Sequence, residues 1–207
     1  MPPPGDYHAD AVALHKYVMS KDQLQLMNNP QAVLDAIDDY VNNVKHLMIY
    51  SDKKLNATEK ALATLDLKPK VLVELGGYVG KSAVAWGPML MKLNTATDST
   101  SSIGIRESGE SLRRLKEEGI EHIDVLFLDH WEKFYVPDLR LCEELSLLKP
   151  GSVIVADNTD MPGAPDYLKY VEGGGEGGWK YRCESIEVGG STKGPSIVHI
   201  AYCEATP

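Results

Sequence analysis

Basic residues are in short supply in this chain. Lys and Arg number 21 against 30 Asp and Glu, a net charge of −9. With no cluster of basic residues either, the balance argues against nucleic-acid binding through phosphate neutralisation. Cysteines are few: Cys142, Cys183 and Cys203 are odd in number and widely spaced, so neither a disulfide framework nor a zinc site is indicated. No apolar stretch approaches membrane length, and residues 1–6 lack the basic start and apolar run of a secretory leader. The expected address is cytoplasmic, with no membrane partner. No internal repeat is visible. What remains is ordinary: 43% hydrophobic and 25% charged residues in a 207-residue chain, enough for one domain with a real core.

The most informative stretch is Val71-Leu72-Val73-Glu74-Leu75-Gly76-Gly77-Tyr78-Val79-Gly80-Lys81-Ser82. A β-branched run passes into a Gly-punctuated turn and then into an amphipathic segment (Ala83, Val84, Trp86, Met89, Leu90). This predicts a buried strand, a tight loop and a helix N-terminus, the first unit of a nucleotide-binding α/β sheet. Glu74 stands out, because a carboxylate at the tip of a buried strand is costly unless it accepts hydrogen bonds. The spacing Gly76-x-x-x-Gly80 is not that of the dinucleotide fingerprint.

Before this unit, helices are predicted over Asp10 to Met19, from the Asn29 cap and Pro30 through Met48, and over Ala57 to Leu65. They form a helical cap over residues 1–66 or an outer layer of the sheet. After it come a helix from Ser82 to Leu93, a weak strand at Ile103–Glu107 and a helix led by Ser108-Gly109-Glu110-Ser111. A buried strand at Ile123–Leu128 follows, then a helix from Pro137 to Leu148. Another buried strand, Ser152–Ala156, precedes a helix from Pro165 to Glu172. Trp179–Val188 and Ser196–Cys203 read as an antiparallel pair closing the sheet edge. Strands alternating with helices imply an α/β fold with a mostly parallel sheet and sites at the carboxyl ends of its strands.

Three strand ends carry acids or amides: Glu74, Asp129 and the pair Asp157-Asn158. In a parallel sheet these tips share one edge. Two carboxylates and an amide oxygen form a hard-oxygen set suited to Mg²⁺ rather than zinc. Asp and Asn at such positions also cap helices and turns, and that reading stays open here.

The segments Glu74-Leu75-Gly76-Gly77-Tyr78, Leu126-Phe127-Leu128-Asp129-His130-Trp131 and Ala156-Asp157-Asn158, followed by Pro162-Gly163-Ala164-Pro165-Asp166, resemble catechol O-methyltransferase. The similarity runs from about Asn29 to the tail. It implies a Rossmann-like class I methyltransferase domain over 1–207, with an α/β core at 70–207. It also implies Mg²⁺-assisted methyl transfer from S-adenosylmethionine to one hydroxyl of a catechol. By the resemblance, the donor is held by Met48, Tyr50, Glu74, Gly76, Tyr78 and Ser82, with His130 and Trp131 beside its adenine. Asp129, Asp157 and Asn158 match the Mg²⁺ ligands. Asp129, Asn158, Pro162 and Glu187 match positions that meet the small-molecule substrate.

Two departures from the family's pattern mark this chain. The general-base lysine follows the Asp-His-aromatic triplet directly in the family; here Glu132 holds that position and Lys133 comes next, so both are candidate bases. The interval from Glu74 to Asp129 is also shorter, by about one helix and its flanking strand residues, which leaves segment 94–108 abbreviated. Either Ile103–Ile105 pairs with the first strand, in which case the resemblance implies that Glu107 takes the family's ribose-binding acidic position, or this side of the sheet is truncated. By sequence, Ser108 resembles a serine that contacts adenine. Three readings stay open: turnover of a catechol, a relative that binds nucleoside or metal without turnover, or a Mg²⁺-dependent O-methyltransferase for a larger phenolic ester.

Overall fold

The computed structural model describes residues 6–94, 102–106, 109–189 and 196–207. Four helices come first: α1 (Tyr7–Met19), the single turn α2 (Gln23–Leu26), α3 (Pro30–Asn43) and α4 (Asp52–Ala63). The α/β part then runs β1 (Val71–Leu75), α5 (Lys81–Leu93), β2 (Ser102–Arg106), α6 (Gly109–Glu117), β3 (Val125–Leu128), α7 (Tyr135–Glu144), β4 (Val153–Ala156) and α8 (Pro165–Glu172), and ends in β5 (Lys180–Glu187) and β6 (Ile197–Ala205).

The six strands lie in the order β2-β1-β3-β4-β6-β5. The first four are parallel, β6 runs antiparallel to β4, and β5 pairs antiparallel with β6. The abbreviated stretch therefore still supplies a strand beside β1, with Glu74 in register with Ile105.

Side-chain alternation along the strands builds two cores. Val73, Leu75, Leu126, Leu128, Ile154 and Ala156 face α6, α7 and α8. Leu72, Val125, Phe127, Val153 and Val155 face Trp86, Met89 and Leu90 of α5 and Leu62 of α4. Central strands buried on both faces are why these segments read as continuous apolar runs. A third cluster, Leu14, Ile37, Tyr40 and Leu47, holds α1 against α3, and Val79 of the β1 loop packs on it. The expected cap is thus split: α1–α3 sit over the β1 loop, while α4 joins α5 in an outer layer.

Helix α3 starts as expected, with the Asn29 side chain accepting the Ala32 N–H at 3.2 Å and Pro30 at its first position. It stops at Asn43 rather than Met48. Residues 44–50 leave the helix as an extended segment, with Leu47 buried in the cap and Tyr50 buried under the sheet. The apolar spacing of Val44, Leu47 and Met48 mimics a helix face, but only Leu47 is buried, while Val44 and Met48 are exposed. Helix α4 correspondingly starts at Asp52, not Ala57, capped by the Ser51 hydroxyl. No helix among the described residues is long and apolar enough to cross a membrane.

Candidate active site

The carboxyl ends of β1, β3 and β4 meet at one edge. The ladder continues past the strands: the Asp129 N–H donates to the Leu75 carbonyl at 2.9 Å, and the Asp157 N–H to the Leu128 carbonyl at 3.0 Å. Gly76 lets the loop after β1 press onto the end of β3. Its φ is 105°, and a Cβ there would fall 2.6 Å from the Asp129 carbonyl carbon and 2.7 Å from the His130 nitrogen. Only glycine fits that approach. Asn158 also takes a left-handed backbone, φ 55°, which turns the chain sharply after Asp157.

Glu74 is fully buried at the tip of β1. Its Oε1 accepts the Ser82 hydroxyl at 2.5 Å, from the first turn of α5. Its Oε2 has no hydrogen-bond partner. Burial pushes the carboxyl from its ordinary 4.5 up to about 7, with Ser82 and the neighbouring Trp86 pulling the other way. An acid held this way is suited to a ligand that brings a hydroxyl or an ammonium to the free oxygen.

Asp129 and Asp157 form the second part of the edge. Burial, then the charges of Asp157 and Glu74, hold the Asp129 carboxyl well above its ordinary range. Burial also raises Asp157, opposed by the ammonium of Lys54, which forms a buried ion pair with its Oδ1. The Tyr135 hydroxyl donates to the Asp157 carbonyl at 3.1 Å and fixes the backbone there. A carboxyl raised in this way by two acids at adjoining strand tips, as Asp129 is, asks for a cation. Among the described residues no three His, Cys, Asp or Glu side chains gather as a metal site. Asp129, Asp157 and Asn158 carry hard oxygen donors of the type that Mg²⁺ takes.

The remaining expected residues separate. His130 is held by Asp138 of α7, Nε2 to Oδ2 at 2.7 Å, while its buried Nδ1 has no partner. Trp131 is exposed beside it, as are Met48 and Tyr78 on the loops nearer α1. Pro162 is exposed on the loop after Asn158. Tyr50 is a core residue: its ring packs on Trp86 and Phe127 at 5.7 and 4.8 Å between centroids, and its hydroxyl pairs with Thr58. The Ser82 hydroxyl is spent on Glu74. Glu132 and Lys133 lie on a single helical turn, Glu132–Phe134. Glu132 is half-buried and acts electrostatically on Asp129. Lys133 is exposed, its ammonium 5.1 Å from the centre of the Trp131 ring and 4.9 Å from that of Phe134. Glu187 ends β5 on the same sheet edge but two strands beyond β4, exposed in a groove of about 650 Å³ that it lines with Lys53, Lys60 and Arg182. Neither Asp129 nor Asp157 lines that groove. Glu107 and Ser108 lie outside the described residues.

Lys54 is the site residue that the sequence reading missed. An Asp-Lys-Lys run at a helix start reads as solvated charge, and its partner Asp157 lies 103 residues away. The Ser51 cap two residues after the apolar Ile49 was the available signal, since it puts Lys54 in the first turn of α4.

A parallel sheet of this order, ending in an antiparallel hairpin and carrying acids at its carboxyl edge, defines a class I methyltransferase fold. The O-methyltransferase TomG of Streptomyces achromogenes, solved in complex with SAM, has the same fold, with a TM-score of 0.54 at 14% identity over 81% of this chain and 87% of that one. The catechol O-methyltransferase of Bos taurus is 34% identical over 173 residues, 73% of this chain and 63% of that protein. That of Sus scrofa is 36% identical over 130 residues, 52% of this chain and 70% of that protein. The chain belongs to the catechol O-methyltransferase family. It spans less than two thirds of the length of the bovine relative. No family model matches the chain.

Proposed function

We propose that this chain is an S-adenosylmethionine-dependent O-methyltransferase that methylates one hydroxyl of a catechol or similar vicinal diphenol with the help of Mg²⁺. The observation that carries this reading is the meeting of Glu74, with its unpartnered Oε2, and Asp129, Asp157 and Asn158 on one strand edge. The donor would supply an electrophilic sulfonium methyl, its polar groups meeting Glu74 and the backbone that Gly76 brings close. Asp129, Asp157 and Asn158 would hold Mg²⁺, which when bound steadies both diphenol oxygens and lowers the pKa of one hydroxyl.

The chain's own contribution is positioning and electrostatics. Tyr135 fixes the Asp157 backbone, Asp138 orients His130, and the exposed Trp131 and Pro162 offer apolar surface to an aromatic ring. Of the two candidate bases, Glu132 is the one whose charge acts on Asp129, whereas Lys133 sits over the Trp131 and Phe134 rings and must swing from them to reach a substrate hydroxyl. We expect the same small-molecule role in the cytoplasm, without nucleic-acid or membrane partners.

The deciding assay follows methyl transfer from S-adenosylmethionine to a simple catechol, with Mg²⁺ and with a chelator. Product that requires Mg²⁺ supports the reading. Donor consumption unaffected by chelation removes the metal from it, and no product from any diphenol refutes it.

A further inference from the structure

Among the described residues, Lys54 brings an ammonium onto the acidic edge, against Asp157. It is 8% exposed and reaches Asp157 from the first turn of α4, with its ammonium 5.9 Å from the centre of the Tyr50 ring. The nearby lysines are committed elsewhere: Lys81 donates to Asp38 at 2.6 Å and Asp52 at 2.9 Å, and Lys133 lies on two aromatic rings. Lys54 therefore places a positive charge against a concentration of acids, Glu74, Asp129 and Asp157. The same carboxylate, Asp157, belongs to the donor set that fits a divalent ion.

Two cations on one buried carboxylate repel each other strongly, because little solvent screens them. We propose that Lys54 is a built-in competitor for the metal: its ammonium occupies Asp157 until a divalent cation displaces it. This inference rests on the Mg²⁺ part of the functional reading above. The side chain suits the task. Its charge sits on a flexible four-carbon stem, so it can leave Oδ1 and rotate toward solvent beside the exposed Lys53 without unwinding α4. The exchange keeps the acidic edge neutralised before the metal arrives and lowers the apparent affinity for it. It also makes the start of α4 the element that senses occupancy.

The test is calorimetric titration of Mg²⁺, and of Mn²⁺ as a second probe, into the full chain at mildly alkaline pH, using wild type, Lys54→Met and Lys53→Met. Lys54→Met should bind at least about tenfold more tightly than wild type, because no buried ion pair has to be broken, and Lys53→Met should match wild type. Wild-type binding with no gain in Lys54→Met overturns the competitor role alone. No binding by any of the three removes the metal site itself, and the competitor role with it. A second readout uses the wild-type protein only: acylation of Lys54, followed by mass spectrometry, should speed up when Mg²⁺ is added. An unchanged or slower rate contradicts displacement.

Discussion

Glu74 and Asp157 end two strands of one sheet, both are buried, and the protein answers them differently. Glu74 receives a neutral hydroxyl from Ser82 and keeps one oxygen without a partner. Asp157 receives a full positive charge from Lys54. The β1 end is thus left short of a partner that a ligand hydroxyl or ammonium can supply. The β4 end is already neutralised by a group of the same charge sign as a metal ion. The first arrangement favours direct binding of a polar ligand; the second favours exchange of one cation for another.

The largest expected effect comes from removing the β4 acid. Asp157→Ala should lower methyl transfer by about 10²–10³-fold, the usual loss when one element of a preorganised electrostatic site is deleted. Steady-state rates at saturating donor measure it, and near-wild-type turnover would end the claim that this tip is reactive.

The β1 acid gives a pH signature of opposite sign to that of an ordinary paired carboxylate. Its pKa is raised from 4.5 to about 7 in the folded chain, so the native state holds the proton more tightly than the unfolded one. The stability this contributes is complete below the unfolded pKa and is lost as pH rises through about 7. Without ligand, Glu74→Gln should therefore match wild type in acid and exceed it by about 3 kcal/mol above about pH 8. Denaturant melts across pH measure the crossing, and parallel curves for the two proteins would break the contrast between the two strand ends.

Gly76→Ala should cost about 2 kcal/mol or more, since the residue has φ 105° and its new methyl would strike the Asp129 backbone. The same melts check it, and an unchanged midpoint would mean that β1 and β3 tips are not pressed together. Lys133→Ala should change stability by less than about 0.5 kcal/mol, as expected of an exposed side chain. Its effect on turnover, set beside that of Glu132→Ala, identifies the base: the variant with the larger loss in kcat marks the residue that takes the proton.

The sequence made the chemistry of the strand ends legible because each acid follows a fully buried apolar run. Asp129 and Asp157 each follow four buried apolar residues, and Glu74 follows Val71, Leu72 and Val73 near the end of β1. The antiparallel β5–β6 pair was legible from two strand-like runs around a Gly-rich turn, and β2 from the place a sheet leaves beside its first strand. Between Val44 and Tyr50 the reading failed, because Val44 and Met48, both exposed, happen to repeat at helical spacing with the buried Leu47. Tyr50 went astray with it, predicted at the donor and found against Trp86 and Phe127. Lys54 was invisible because an ion pair across 103 residues leaves no local pattern. Glu187 reached the expected edge of the sheet, but strand order placed it beyond β6 and off the acidic cluster.

The central claim is that the edge around Glu74 holds the methyl donor. Titrating S-adenosylmethionine calorimetrically into wild type and Glu74→Gln at neutral pH tests it most directly. Saturable one-to-one binding by wild type, weakened at least about tenfold in the variant, is the predicted result, in line with loss of a charged hydrogen bond. Equal affinity in the two proteins, or no binding by either, would contradict it.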